Sequence, residues 1–362
     1  MTLDDAFRIQ LRLPELEFPT IFSVSVFFAL FKTYGIPSIS KLLVATGQLS
    51  NGKTASKRAA DTGVILTEVV LHHPLDPRAM DGIARMNYLH GLYRKSGKIS
   101  DDDMLYTLSL FALEPIRWTK QFEWRQVNDV ERCAIGTYWR YMGDAMEIPF
   151  NSLKSYETGW ADGLQFIDDL AEWSVEYEAK AMVPAESNKV VAQGTIDIGL
   201  FNVPKFLHGV ALSFVAAVLQ PHLRRAMMFP DPPEWAIATF TTIVTVRKFV
   251  LRHFFLPRPY FLRDRWWSEH PNTHGRINAK QFISLPWYIE PTFAARWGYK
   301  AWLLRLIGSK VPGDDGDSYE PKGYVISELG PDSLRHKGAE QMKTTRDALA
   351  NGTRVGCPFS RW

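Results

Sequence analysis

Arg85-Met86-Asn87-Tyr88-Leu89-His90-Gly91-Leu92-Tyr93-Arg94 is the stretch on which the reading of this chain turns. It reads as the end of a helix, stopped by Lys95-Ser96-Gly97. Ile83, Asn87, His90 and Arg94 recur at helical spacing and therefore share a face. An imidazole thus stands one turn before a guanidinium, with apolar neighbours beside both. A neutral imidazole is a good ligand for haem iron, and an arginine fork suits a carboxylate such as a haem propionate. The competing reading is a core histidine whose ring N–H is met by a backbone carbonyl. Spacing alone leaves both open.

Upstream, residues 54–72 read as a helix with Thr54 as its cap. Arg58, Thr62, Ile65 and Val69 share one face, and Asp61 borders it. A charged arginine among isoleucine and valine needs a partner. Either Asp61 neutralises it, or Arg58 and Thr62 point donors into a pocket. His72-His73-Pro74 invites a metal reading, but adjacent helical residues diverge by about 100°, so both rings seldom reach one ion. A helix terminus explains them better.

The His90 helix spans 76–94, with Pro77 well placed in its first turn. Ser100 caps the next helix, and Asp101, Asp102 and Asp103 sit at its positive end. Residues 104–118 are apolar almost all round, as in a buried helix, and Glu114-Pro115 ends or kinks it. Residues 18–48 read as two short helices broken at Pro37, followed by a loop over 49–52. Residues 128–146 and 155–181 are further helices. The second is acidic, but lacks the Glu-x-x-His of a di-iron bundle, so its carboxylates read as a solvated face. Residues 183–195 read as a polar loop, 201–228 and 235–255 as apolar helical regions. From Trp266 the chain looks irregular.

With 362 residues, 46% of them hydrophobic and 13% aromatic, the chain has ample material for a large core. A net charge of +3 gives no nucleic-acid signal. Two distant cysteines, Cys133 and Cys357, make no disulfide framework, so a reducing compartment is the simpler assumption. No secretory signal opens the chain, and no run reaches the ~20 apolar residues of a spanning helix. The runs at 18–31 and 206–219 suit buried helices, with a peripheral membrane contact as the alternative. There is no dinucleotide glycine fingerprint, no Gly-x-Ser-x-Gly elbow and no Cys-x-x-Cys pair. The common dehydrogenase and hydrolase routes therefore have no support. The expectation is an all-α protein: one large helical domain over 1–335 and a loosely held polar tail over 336–362.

Residues 85–108 with Glu114-Pro115-Ile116-Arg117-Trp118 resemble the fungal MpaB-type oxygenases, which group with the bacterial latex-clearing rubber oxygenases in a haem-b superfamily. The likeness runs from Thr33-Tyr34-Gly35-Ile36-Pro37 to Val311-Pro312-Gly313-Asp314. It implies a globin-like helical core around haem b, with His90 as the proximal iron ligand; on the spacing reading, Arg94, one turn on, then clamps a propionate. It also implies a distal arginine and threonine one turn apart, a pattern matched by Arg58 and Thr62. Their role would be to hydrogen-bond bound oxygen. Rubber oxygenases place a lysine beside that pair, where this chain has Asp61. A carboxylate there would pair with Arg58 or move a substrate proton. The implied reaction is O2-dependent cleavage of a C=C bond in a prenylated or polyketide-terpenoid metabolite. Two alternatives remain: a haem enzyme that inserts no oxygen, and a carrier of haem or apolar ligands. Fungal members often carry an N-terminal membrane anchor. None is expected here, which leaves a cytoplasmic location or a peripheral one on the endoplasmic reticulum.

Overall fold

The computed structural model describes residues 1–47, 52–282, 284–352 and 356–359. Its first half contains α1 (Leu3–Arg12), α2 (Pro19–Thr33), α3 (Pro37–Ala45), α4 (Gly52–Val70), α5 (Pro77–Lys95), α6 (Asp101–Phe122) and α7 (Asp129–Ala145). Then come α8 (Gly163–Ala181), α9 (Glu186–Gly199), α10 (His208–Val218), α11 (Pro221–Ala226), α12 (Glu234–Phe254), α13 (Phe293–Trp297), α14 (Tyr299–Leu306) and α15 (Ala339–Gly352). Among the described residues there is no strand; backbone pairing in the irregular C-terminal third is confined to isolated bridges such as Ile277 with Tyr324. The fold is all-α, as expected.

Local chemistry sets the helix starts. The Asp76 carboxylate accepts from Arg78 N, and Pro77 occupies the first turn of α5. Ser100 caps α6, its hydroxyl accepting from Asp103 N at 3.0 Å. Asn128 and Glu131 cap α7 reciprocally. The α6 helix is buried along most of its length and packs on α2, α7 and α8. It runs through Pro115 to Phe122 rather than ending or breaking there. Packing on several sides holds the helix across the missing donor of Pro115. Below it, the fully buried Lys32 bridges Glu114 at 3.2 Å and Glu178 at 2.8 Å. One continuous hydrophobic cluster runs from Leu3 to Leu329.

Four expectations need correction. Residues 186–199, read as mostly loop, form α9, because Val191, Ala192, Ile196 and Ile198 supply a buried face hidden among polar neighbours. The helix expected from 155 begins only at Gly163, where the Asp162 carboxylate accepts from two backbone N–H groups. The region 201–228 is divided, with Pro221 opening α11 as a separate helix. Finally, the polar tail carries α15, docked along α5 with Met342 buried and Arg346 paired to Asp81 at 3.2 Å. Thr54 lies inside α4 rather than at its cap, and residues 49–51 of the expected loop lie outside the described residues.

The C-terminal segment is fastened to the His90 helix by a fully buried arginine. Arg85 donates to Leu329 O at 2.8 Å, Leu334 O at 3.0 Å and Lys337 O at 3.0 Å. These bonds bring Pro331 and Leu334 to the wall of the candidate site.

Candidate active site

A cavity of about 290 Å³ lies among α2, α3, α4, α5, α6, α7 and α9. Its walls are mainly apolar, including Met86 and Leu89 of α5, Leu66 and Val69 of α4, Phe111 of α6 and Trp139 of α7. Among these side chains stand His90, Arg58 and Thr62, so three of the expected site residues meet in one volume.

His90 carries the most informative chemistry. Its Nδ1 is buried without a hydrogen-bond partner among the described residues. Burial, followed by the Arg58 and Arg94 charges, pushes its pKa down to about 4. At neutral pH the ring is uncharged and keeps a nitrogen lone pair, the form in which imidazole ligates metals. The core-histidine alternative required a carbonyl partner for the ring N–H, and none is present among the described residues. No group of three or more His, Cys, Asp or Glu side chains able to hold a metal ion exists among the described residues. Of the cavity-lining donors, the Asp103 carboxylate is already engaged by Ser38 and Tyr177, which leaves the His90 imidazole, a donor that suits a metal whose other ligands come from a cofactor.

Arg58 is half-buried and lines the cavity, yet its guanidinium makes no hydrogen bond or ion pair with a described residue. Thr62 sits one turn on. Its Oγ1 donates to Arg58 O at 2.8 Å, so in this state its proton is held by the backbone and its lone pairs face outward from that bond.

Asp61 does not join them. It is 1% exposed and turned toward the C-terminal segment. Oδ2 accepts from Lys57 Nζ at 3.0 Å and from Gly330 N at 3.0 Å, while Oδ1 accepts from the Tyr288 hydroxyl. Its partner is Lys57 rather than Arg58, because successive helical residues point about 100° apart.

Arg94 is likewise committed elsewhere. It donates to Met146 O at 3.3 Å and Glu147 O at 2.9 Å, and pairs with Asp101 at 3.1 Å. Asn87, on the same face, donates to Ala145 O at 2.9 Å. Both side chains meet the negative C-terminal end of α7, where a guanidinium is favourable. The shared face of α5 is therefore partly a helix-capping device. Among the described residues that line the cavity, Lys98 is an exposed cation.

Sequence reasoning missed Tyr34, Thr195 and Asp103, which also line the cavity. Asp103 Oδ1 accepts from Ser38 Oγ at 2.7 Å and the Tyr177 hydroxyl at 2.8 Å. Asp103 was legible as a helix-start acid, but nothing local marked it as a wall residue. Thr195 fell in the stretch read as loop.

A mainly apolar enclosure with a neutral imidazole and a nearby guanidinium, both free of partners among the described residues, is the layout of a small-molecule enzyme site. The chain belongs to the family described as ER-bound oxygenase mpaB/B'/rubber oxygenase, whose catalytic-domain model matches residues 25–248. It is 42% identical over 360 residues to "ER-bound oxygenase mpaB'" of Penicillium brevicompactum, covering 99% of this chain and 85% of that protein. A second protein of that organism, "ER-bound oxygenase mpaB", is 40% identical over 336 residues, covering 92% and 79% of the two chains. "ER-bound oxygenase mpaB" of Penicillium roqueforti is 45% identical over 231 residues, covering 64% and 78%. The protein is an oxygenase and uses O2. The matched span contains Tyr34, Arg58, Thr62, His90 and Thr195.

Proposed function

We propose that this oxygenase depends on haem b and cleaves a C=C bond in a hydrophobic prenylated or polyketide-terpenoid metabolite. The observation that carries the reading is the neutral His90 ring, its Nδ1 without a partner among the described residues, in a mainly apolar cavity that also holds the Arg58 guanidinium, likewise unpaired among them. A single imidazole fits haem, because the porphyrin would supply the iron's other nitrogen ligands. His90 would hold the iron. Lys98, exposed at the mouth, is the cation available to a propionate there. When bound, the haem supplies O2 activation.

The chain's own residues supply the rest. The apolar walls favour a hydrocarbon substrate and exclude water. Arg58 directs positive charge into this low-dielectric space and stabilises negative charge that develops on oxygen. Thr62 adds an acceptor beside it while its proton is held by Arg58 O. Rubber, named in the family description, is a chain of isoprene units, and a prenylated metabolite presents the same trisubstituted alkene.

The test is the absorption spectrum of freshly purified protein before and after dithionite, with haem quantified. About one haem b per chain is expected. His90→Ala should lose haem or change its ligation, whereas His72→Ala and His73→Ala should not. A folded, colourless protein that takes up no haemin refutes the reading. O2 uptake with substrate separates it from a haem enzyme that inserts no oxygen.

We also propose a peripheral contact with the endoplasmic-reticulum membrane, since the named relatives are ER-bound. Among the described residues no single helix is long and apolar enough to cross a membrane. A different feature supports the contact. The 21-residue α12 has Ala236 as its one buried residue, and Ile243, Val246 and Phe249 lie exposed. Phe254, Leu256 and Phe261 continue this surface, Leu256 being 91% exposed. Exposed Arg252 and Arg258 interleave with them, a pattern suited to anionic lipid headgroups over an acyl layer. Flotation with phosphatidylserine-containing vesicles should carry the protein upward, and Phe254→Ser with Leu256→Ser should abolish this. Equal flotation of the variant excludes the surface.

A further inference from the structure

The threonines that line the cavity differ in one respect. Thr33, Thr46, Thr62 and Thr107 each donate to a backbone carbonyl three or four residues earlier, at 2.6 to 2.8 Å. Such back-bonding is the ordinary way a helical threonine meets its own hydroxyl. Thr195 does not do this. Its Oγ1 is buried and has no hydrogen-bond partner within 3.5 Å among the described residues, although it sits on α9 with helical carbonyls behind it. A buried hydroxyl without a partner is unfavourable, so it calls for an occupant.

The group facing Thr195 is the phenol of Tyr34, one residue past the end of α2. Burial pushes that phenol's pKa up, and the Thr195 hydroxyl and the Arg58 charge act against burial. The two hydroxyls are therefore close, yet Thr195 Oγ1 lacks a partner at normal hydrogen-bond length. A ligand oxygen placed between them would satisfy both. Arg58 reaches both ends of this arrangement, since its charge acts on the Tyr34 phenol and on the His90 ring. It does so because α4 packs against α5 and against α9.

We propose that Tyr34 and Thr195 form a polar subsite that binds an acceptor oxygen, a carbonyl or carboxylate, at one end of an otherwise apolar substrate. The inference rests on the reading that substrate enters this cavity, and it adds what fixes the substrate's register. Both hydroxyls donate to the oxygen, and the Arg58 charge favours an electron-rich acceptor over a hydrocarbon terminus. With that end held, the apolar chain extends along the walls toward His90. The distance from the oxygen function to the reacting alkene then selects which double bond is presented. Tyr34 and Thr195 are positioning residues for the substrate.

The experiment uses the purified holoprotein and two probes: geranylacetone, a prenyl ketone, and the hydrocarbon of the same carbon skeleton. Binding is followed by quenching of intrinsic tryptophan fluorescence, since Trp139 lines the cavity. Wild-type protein should bind the ketone more tightly. Tyr34→Phe and Thr195→Val, each close in shape to the original, should each weaken ketone binding roughly five- to thirtyfold, the effect of one hydrogen bond to an otherwise unmet group. Both should leave hydrocarbon binding and the reduced-minus-oxidised haem spectrum as in wild type. Equal loss for both probes, unchanged ketone binding in both variants, or no ketone binding by wild type overturns the subsite. Failure of the haem reading is recorded separately, because ketone discrimination is also measurable on protein that takes up no haemin.

Discussion

Asp61→Asn separates a structural carboxylate from a catalytic one. Asparagine keeps Oδ1, so the hydroxyl of Tyr288 still has its acceptor. The amide nitrogen replaces Oδ2, which now accepts from Lys57 Nζ and from Gly330 N, both at 3.0 Å. Two donors then face a donor. The Gly330 N–H is buried, and losing its acceptor costs about 1–3 kcal/mol. Lys57, only 14% exposed, is left with the solvent-exposed Asp332 at 3.5 Å, a weak substitute. Together the loss is about 3 kcal/mol. For 362 residues the unfolding entropy is about 0.8 kcal/mol/K, so Tm should fall by about 4 °C. Melting temperature, haem content and O2 uptake per haem should be measured on one preparation at pH 7.5. Uptake per haem should stay within about twofold of wild type, because Asp61 points away from the cavity. An unchanged Tm with uptake reduced more than tenfold would refute this argument and return Asp61 to the reacting centre.

Arg58→Met should leave stability within about 1 kcal/mol of wild type, since no side-chain bond to a described residue is lost, while O2 uptake falls by roughly a hundredfold. A parallel loss of stability and haem would instead assign Arg58 to the fold. Arg94→Ala removes charge-assisted bonds at the end of α7 and should destabilise by about 1–2 kcal/mol without changing haem dissociation; faster haem loss would restore a propionate role. Acid unfolding should report Glu178. Burial would raise its pKa, but the His222 hydrogen bond and the Lys32 charge hold it at about 2 against an ordinary 4.5. A depressed carboxylate stabilises above its unfolded pKa, so about 3 kcal/mol should be lost as pH falls from 4.5 toward 2. Glu178→Gln should remove that limb of the denaturation curve, and an unchanged limb would count against the ion-pair account.

Much of the fold was written in local sequence. The capping of α5 by Asp76, of α6 by Ser100 and of α7 by Asn128 depends on side chains within three residues of the backbone they satisfy. Such signals need no knowledge of the rest of the chain. The i,i+4 relation of Arg58 and Thr62, and the apolar surroundings of His90, were legible for the same reason. What the sequence left open was the destination of each polar group. Arg94 and Arg58 have the same side chain and similar helical neighbours. Contact with the carbonyl end of α7 makes one a cap, and the lack of any described partner leaves the other facing the cavity. Asp61 borders the same helix face as Arg58, yet Gly330 and Tyr288, more than two hundred residues away, draw it elsewhere. Likewise α9, and with it Thr195, required tertiary packing, because its intrinsic helix signal is weak and its apolar face has value only against α3 and α4. Periodicity decides which residues share a face. Long-range burial decides whether that face meets another helix, a carboxylate or an open pocket, because a buried polar group takes whichever partner the folded chain brings within hydrogen-bond reach.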